Sequence, residues 1–300
     1  MQINRLVKGY VYAGLTVLIW SGFILISRLG GASPLTPYDI TALRFGTAGM
    51  LLLPVFLWKT SIRIFDYRML LLTAFGGIAY ALFVYTGFKH APATHAAILL
   101  PGLLPFEIAF FVWLLTSERL IRMQVLGLVF ILAGICFLAV DTVVAGLATL
   151  QGDILFFLSS LSWAIYTVLI RRWSVTVWEA TIGTTLLAAL LYLPVYCLFL
   201  PKAMGSASWA IISIQAVYQG VFAVIIAMYF YLSAVSIIGA TKTGTLMAAI
   251  PGISGFAAAL FLHEPVSIIL ASGLVLVCVG AWIGSKSQLP DQGGKHAKRE

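Results

Sequence analysis

Trp20 and Trp163 each stand a third to halfway along a long apolar stretch, with a hydroxyl residue, Thr16 or Ser159, four positions earlier. Four residues is about one helical turn, so each indole shares a helix face with its hydroxyl. Phe23 and Tyr166 follow three residues later, roughly on that face. A midspan indole needs a partner for its N–H, which a hydrated cavity or a ligand supplies. Packing against neighbouring helices is the competing explanation, and the repetition of Trp with a preceding hydroxyl favours a cavity lining. Two further stretches add Tyr80, Tyr85, Tyr218, Gln219, Tyr229 and Tyr231, and Gly76 lies one turn before Tyr80. Tyr218, close to a stretch end, also fits an interfacial aromatic. An aromatic, hydroxyl-bearing lining with little fixed charge suits bulky or amphipathic organic solutes better than bare inorganic ions.

Few ionisable residues lie within the apolar stretches, where each is costly. Glu107, two residues after Pro105, could hold a proton, bind a substrate ammonium, or hydrogen-bond between helices. Arg44 lies about one turn inside the second stretch and reads as snorkelling outward or capping loop carbonyls. His95 and Lys242 begin two equivalent stretches, after the paired dipeptides Ala93-Thr94 and Ala240-Thr241. Both fit an exposed helix start, and together they could hold an anionic solute, since helix N-termini also favour anions. Glu118 and Glu264 follow Pro105 and Pro251 by thirteen residues, where a carboxylate caps the start of the next helix. All four of these residues are read as structural.

Enzymatic chemistry finds no support. No phosphate loop, zinc-protease, nucleophile-elbow or dinucleotide signature occurs, and no nucleotide-binding domain could drive an ATP-powered pump. Cys136, Cys197 and Cys278 lack CxxC or His spacing and read as buried, inert thiols. No cofactor or metal is expected.

These residues must be positioned by membrane-spanning helices. Hydrophobic residues make up 61% of the 300 and charged residues 9%, a balance that no water-soluble fold of this size could bury. Lipid leaves an open backbone unsatisfied, and the stretches are too long for barrel strands. Ten spans are predicted near 9–27, 40–58, 69–88, 94–115, 122–140, 152–171, 179–200, 215–238, 242–262 and 266–284. Pro54, Pro101, Pro105, Pro194 and Pro251 fall within spans and should bend them. The first stretch is too long for a signal-peptide core and reads as an uncleaved span.

The chain also repeats itself. A shift of 143 places Gly9, Thr16, Trp20 and Arg28 on Gly152, Ser159, Trp163 and Arg171, and a shift of 146 places Pro105, Glu118, Gly127 and Gly134 on Pro251, Glu264, Gly273 and Gly280. Residues 1–143 and 144–285 thus form two five-span units, with a polar tail at 286–300. Five is odd, so the units thread the bilayer in opposite directions, the architecture of secondary transporters with a midplane site. The glycine spacing implies close packing of the fifth and tenth spans, within one chain or between two; monomer and homodimer both fit.

With both ends cytoplasmic, fourteen Lys and Arg fall on the inner side and only Arg28, Lys89 and Lys202 outside. That asymmetry follows the positive-inside rule. The net charge of +8 therefore reflects loops beside a bilayer. No basic helix face suggests nucleic acid.

Trp20, the Pro37…Arg44 segment and the pattern Ala93-Thr94…Pro105…Glu118…Gly127…Gly134 resemble the EamA family of the drug/metabolite transporter superfamily. The pattern recurs as Ala240-Thr241…Pro251…Glu264…Gly273…Gly280, and the likeness covers about residues 9–284. No Arg near Thr181–Thr185 matches Arg44. Within the family the neutral aromatic interior is most similar to bacterial aromatic amino-acid exporters of the YddG type. The resemblance implies an all-α fold of two inverted five-helix repeats around a cavity formed mainly by spans 1, 3, 4, 6, 8 and 9. It also implies export of amino acids and small metabolites across the bacterial inner membrane by alternating access, without ATP. Trp20, Tyr80, Ser159, Trp163, Tyr166 and His95 would then touch the substrate. A carrier of phosphorylated sugars or carboxylates is the alternative, and a non-transporting sensor or assembly protein is an alternative of another class.

Overall fold

The computed structural model describes residues 2–59, 62–116 and 122–285. The expected tail and Glu118 lie outside the described residues. Among the described residues regular structure is entirely helical. The helices are α1 Gln2–Ala32, α2 Pro37–Lys59, α3 Tyr67–Leu72, α4 Tyr80–His90, α5 Ala93–Ala97, α6 Leu104–Thr116 and α7 Arg122–Val144. They continue as α8 Leu150–Arg172, α9 Val177–Phe199, α10 Trp209–Gln215, α11 Ala227–Ile238, α12 Ala240–Met247, α13 Ile250–Phe261 and α14 Ile268–Ser285. Wide π-helical turns at Thr73–Ala79 and Ala216–Ile226 fuse α3 to α4 and α10 to α11, and a third, Ile98–Gly102, follows α5. Grouped this way, the described residues make ten spans. Nine are long and apolar enough to cross a membrane, and the tenth, α14, is shorter.

Apolar side chains cover the outside as well as the core. Met50, Leu57, Trp58, Phe199 and Ile268 are largely exposed, as helices surrounded by lipid require. Cys136 and Cys197 are exposed on this same surface and Cys278 is half-buried, so the expectation of buried thiols fails for the first two. An apolar stretch in lipid has no inside-only rule for its thiols.

Local signals start the helices. Thr36 and Asp39 exchange hydrogen bonds at the start of α2, with Thr36 N donating to Asp39 Oδ2 at 2.8 Å and Asp39 N donating to Thr36 Oγ1 at 3.0 Å. Thr176 and Glu179 form the equivalent capping box on α9. Pro54 and Pro194 lie inside α2 and α9. Pro105 and Pro251 instead occupy the first turns of α6 and α13, where a missing N–H costs little. The fourth and ninth spans therefore break just before these prolines rather than bending through them.

The two repeats interlock. α1 packs along α11, α4 along α8, and α2 along α9, each pair joining one repeat to the other. Tyr218 reaches across from the eighth span to donate to Ile19 O at 3.0 Å, so it is a cross-repeat contact and not an interfacial aromatic. α7 and α14 close the bundle backbone to backbone. A Cβ on Gly127 would come 2.6 Å from Gly280 O, and one on Gly134 would come 2.6 Å from Gly273 O. The glycine pairing is thus made within one chain.

Loops 33–36, 91–92, 145–149, 200–208 and 262–267 share one face, here termed the latched face. The opposite face carries Lys8, Arg63, Arg68, Arg171, Arg172 and Lys242, and is termed the basic face. Fully buried Leu35, Ile40, Tyr85 and Phe88 fill the latched half of the bundle.

Candidate functional site

A cavity of about 170 Å³ lies where the repeats meet. Its walls come from spans 1, 3, 4, 6, 8 and 9, as the resemblance implies, and also from α2 and α9. On α9 the lining reaches Thr181, about 6 Å from the helix start at the basic face. On α1 it ends at Ile24, about 12 Å short of the helix end at the latched face. The void is therefore displaced toward the basic face.

Aromatic rings dominate one wall. Trp163 sits between Tyr80 and Tyr166, with ring centroids 4.8 and 4.9 Å away. Phe23 stacks on Tyr80 at 6.4 Å, and Trp20 meets Tyr231 at 5.5 Å. Gly76, in the first π-helical segment, leaves the room into which the Tyr166 ring packs. All three π-helical segments contribute to the lining, through Gly76 and Gly77, Leu100 and Pro101, and Ala223 and Val224. Such segments offset the side-chain register and often mark functional sites.

Polar groups are sparse. Ser160 lines the cavity and approaches both Leu100 O, at 3.3 Å, and Glu107 Oε2, at 2.5 Å. Glu107 stands behind Ser160, buried, with Oε1 lacking a partner. Thr181 and Thr184 donate to Val177 O and Ala180 O, one turn back along α9.

Arg44 is placed differently from the expectation of snorkelling. It is 9% exposed and turned into the cavity, with Cζ 5.8 Å from the Phe23 ring centroid and 6.0 Å from that of Tyr80. Depth along a span does not set the direction around it, and the aromatic pair draws the guanidinium inward. Arg44 Nη1 is 3.4 Å from the Tyr85 hydroxyl, which donates to Gln219 Oε1 at 3.0 Å. Gln219 Nε2 in turn donates to Ser27 Oγ and Gln215 Oε1. Tyr85 and Gln219 thus support the cavity rather than line it.

Trp20, Tyr80, Trp163 and Tyr166 converge on the cavity; Thr16, Ser159 and His95 do not. Thr16 and Ser159 are buried, donating to Tyr12 O and Tyr80 O. Tyr229 faces outward against Tyr12. His95 is held near the latched face, with Nδ1 2.8 Å from Asp153 Oδ1 and Nε2 3.7 Å from Asp141 Oδ2. Thr142 and Thr149 hydroxyls also donate to Asp153. Lys242 is exposed at the start of the ninth span, on the basic face. The His95–Lys242 pair therefore does not form one site.

Glu264 caps a helix, but not the one that follows it. Its carboxylate accepts from Ala93 N at 2.9 Å and Thr94 N at 3.0 Å, at the start of α5, and from Arg28 Nε at 3.0 Å. Ser267 takes the cap of α14 instead, accepting from Leu270 N. Ser160, Asp39, Asp141 and Asp153 were missed by sequence reasoning. Ser160 carried a usable signal, being three residues before Trp163 and so on the same helix face. Asp39 carried another as the last residue of the capping-box pattern Thr36-x-x-Asp39; Asp141 and Asp153 carried none.

The profile of the EamA-like transporter family matches this chain twice, over residues 7–140 and 150–285. The chain is 23% identical over 270 residues to a protein described as "Uncharacterized transporter YyaM" of Bacillus subtilis (strain 168), covering 83% of this chain and 85% of that one. It is 27% identical over 169 residues to an "Uncharacterized transporter" of Archaeoglobus fulgidus, covering 54% and 57%. A solved crystal structure superposes with a TM-score of 0.64 at 22% identity, covering 96% of this chain and all of that one, a likeness of fold. With both repeats matched and the aromatic cavity at their junction, the chain belongs to the EamA-like transporter family.

Proposed function

We propose that this protein is a secondary transporter that exports amino acids, aromatic ones included, across a bacterial inner membrane by alternating access. The basic face would be cytoplasmic, with both chain ends, in keeping with the positive-inside rule. The observation that carries this reading is the Tyr80–Trp163–Tyr166 cluster on a cavity between inverted repeats. Planar side chains stack on such rings, and inverted repeats supply two related conformations that open to opposite sides. Hydroxyls and carbonyls near Ser160 suit the polar end of a small solute. Kinship with YddG-type aromatic exporters fits this lining and remains part of the proposal.

Trp163→Ala tests it. Reconstituted into proteoliposomes, the variant should lose most aromatic amino-acid transport while melting near the wild-type temperature. Unchanged uptake and unchanged competition by aromatic amino acids would remove Trp163 from the site. Wild-type protein that moves no amino acid in a broad solute panel would overturn the substrate class.

A further inference from the structure

Arg44 places a cation on the cavity wall, and among the described residues no carboxylate forms an ion pair with it, whereas Arg28 pairs with Glu264. A guanidinium has five N–H donors. The one side-chain hydrogen bond described for Arg44 is the long contact to Tyr85, whose own proton is committed to Gln219. The faces of Phe23 and Tyr80 hold the group without neutralising it. A charge this buried is costly when unpaired, and its position on the cavity wall leaves the counter-ion to come from whatever enters.

We infer that Arg44 is the anchor for the carboxylate of the transported solute, which thereby lies with its side chain against Tyr80 and Trp163. This rests on the amino-acid reading for the identity of the solute, but not for the presence of the anion site. The planar fork of arginine fits a carboxylate through two parallel hydrogen bonds, which a lysine could not match. Tyr80 joins the two parts of the site, being in contact with Arg44 on one side and with Trp163 on the other. An amine without a carboxylate would meet the same rings and a repelling charge of its own sign.

The test uses the purified full-length protein in nanodiscs and measures affinity for four probes: phenylalanine, 3-phenylpropionate, phenethylamine and phenyl phosphate. Wild-type protein should bind the two carboxylates at least about tenfold more tightly than phenethylamine, and more tightly than phenyl phosphate. In Arg44→Gln the carboxylates should weaken by about 10- to 100-fold, and phenethylamine by less than twofold. Arg44→Lys should fall between the two, and serves as the second variant if the Gln protein melts early. Equal weakening of all four probes, or unchanged carboxylate affinity in both variants, would overturn the inference by reducing Arg44 to a packing residue. Preference for phenyl phosphate would overturn the carboxylate assignment. Binding of 3-phenylpropionate but not phenylalanine would uphold the anchor while defeating the amino-acid reading. If the wild type binds no carboxylate, the inference fails outright.

Discussion

Glu264→Ala should open the latched face. The Glu264 carboxylate ties three elements together: the end of α1 through Arg28, the start of α5 through Ala93 and Thr94, and the loop before α14 on which it sits. Losing a helix cap costs about 1 kcal/mol. The Arg28 pair is partly solvent-accessible, at 29% for the Arg28 side chain, which discounts it to about 1 kcal/mol at most. Together the loss is about 2 kcal/mol, or about 30-fold in a two-state equilibrium. The readout is thiol labelling of Ile24→Cys, on the latched side of the cavity, with Cys136, Cys197 and Cys278 replaced. An impermeant reagent applied from the latched face should label this position at least about tenfold faster in the Glu264→Ala background. Glu264→Gln, which keeps an acceptor for the helix start, should fall between. Unchanged labelling with a lowered melting temperature would refute the reasoning, because Glu264 would then stabilise both conformations alike.

Gly134→Leu should lower the melting temperature, because its side chain would have to displace the α14 backbone at Gly273. Overpacking of this kind costs about 1–3 kcal/mol, and thermal unfolding of the purified protein measures it. Asp153→Ala should destabilise the protein by about 1–3 kcal/mol through loss of the buried acceptor for His95 and Thr142. Substrate KM of the folded fraction should stay unchanged, since none of these residues lines the cavity. Glu107→Gln should melt near wild type, because an amide oxygen can still accept from Ser160. Substrate-dependent proton flux in proteoliposomes then assigns Glu107, with loss of flux marking a proton site and equal flux an interhelical hydrogen bond.

The spans and their duplication were legible because lipid imposes a simple demand, about twenty apolar residues between polar breaks. Trp163, Tyr80 and Tyr166 were legible for a related reason, since helical spacing assigns residues to faces. Arg44 was not, because its distance from a span end gives depth while its direction depends on Phe23 and Tyr80 from other spans. His95 was misassigned because its nearest partner, Asp153, is 58 residues away in sequence. Glu264 was recognised as a cap, but its helix lies 171 residues earlier rather than just ahead. Local pattern shows what a side chain can do, and the packing of distant helices decides where it does it.

The two repeats agree in one place and differ in another. Spans three and eight, equivalent in the duplication, both carry a π-helical segment, at Thr73–Ala79 and Ala216–Ile226. Spans four and nine, also equivalent, do not match. Both break just before their prolines, at Leu103 and at Ala248–Ala249, but of the two only span four first passes through wide turns, at Ile98–Gly102. Two copies of one pattern are thus held in unlike shapes. Fitting each repeat onto the backbone of the other would draw the conformation that faces the other way. In that arrangement the wide turns would pass from span four to span nine, so the asymmetry of this conformation is also an outline of its counterpart under alternating access.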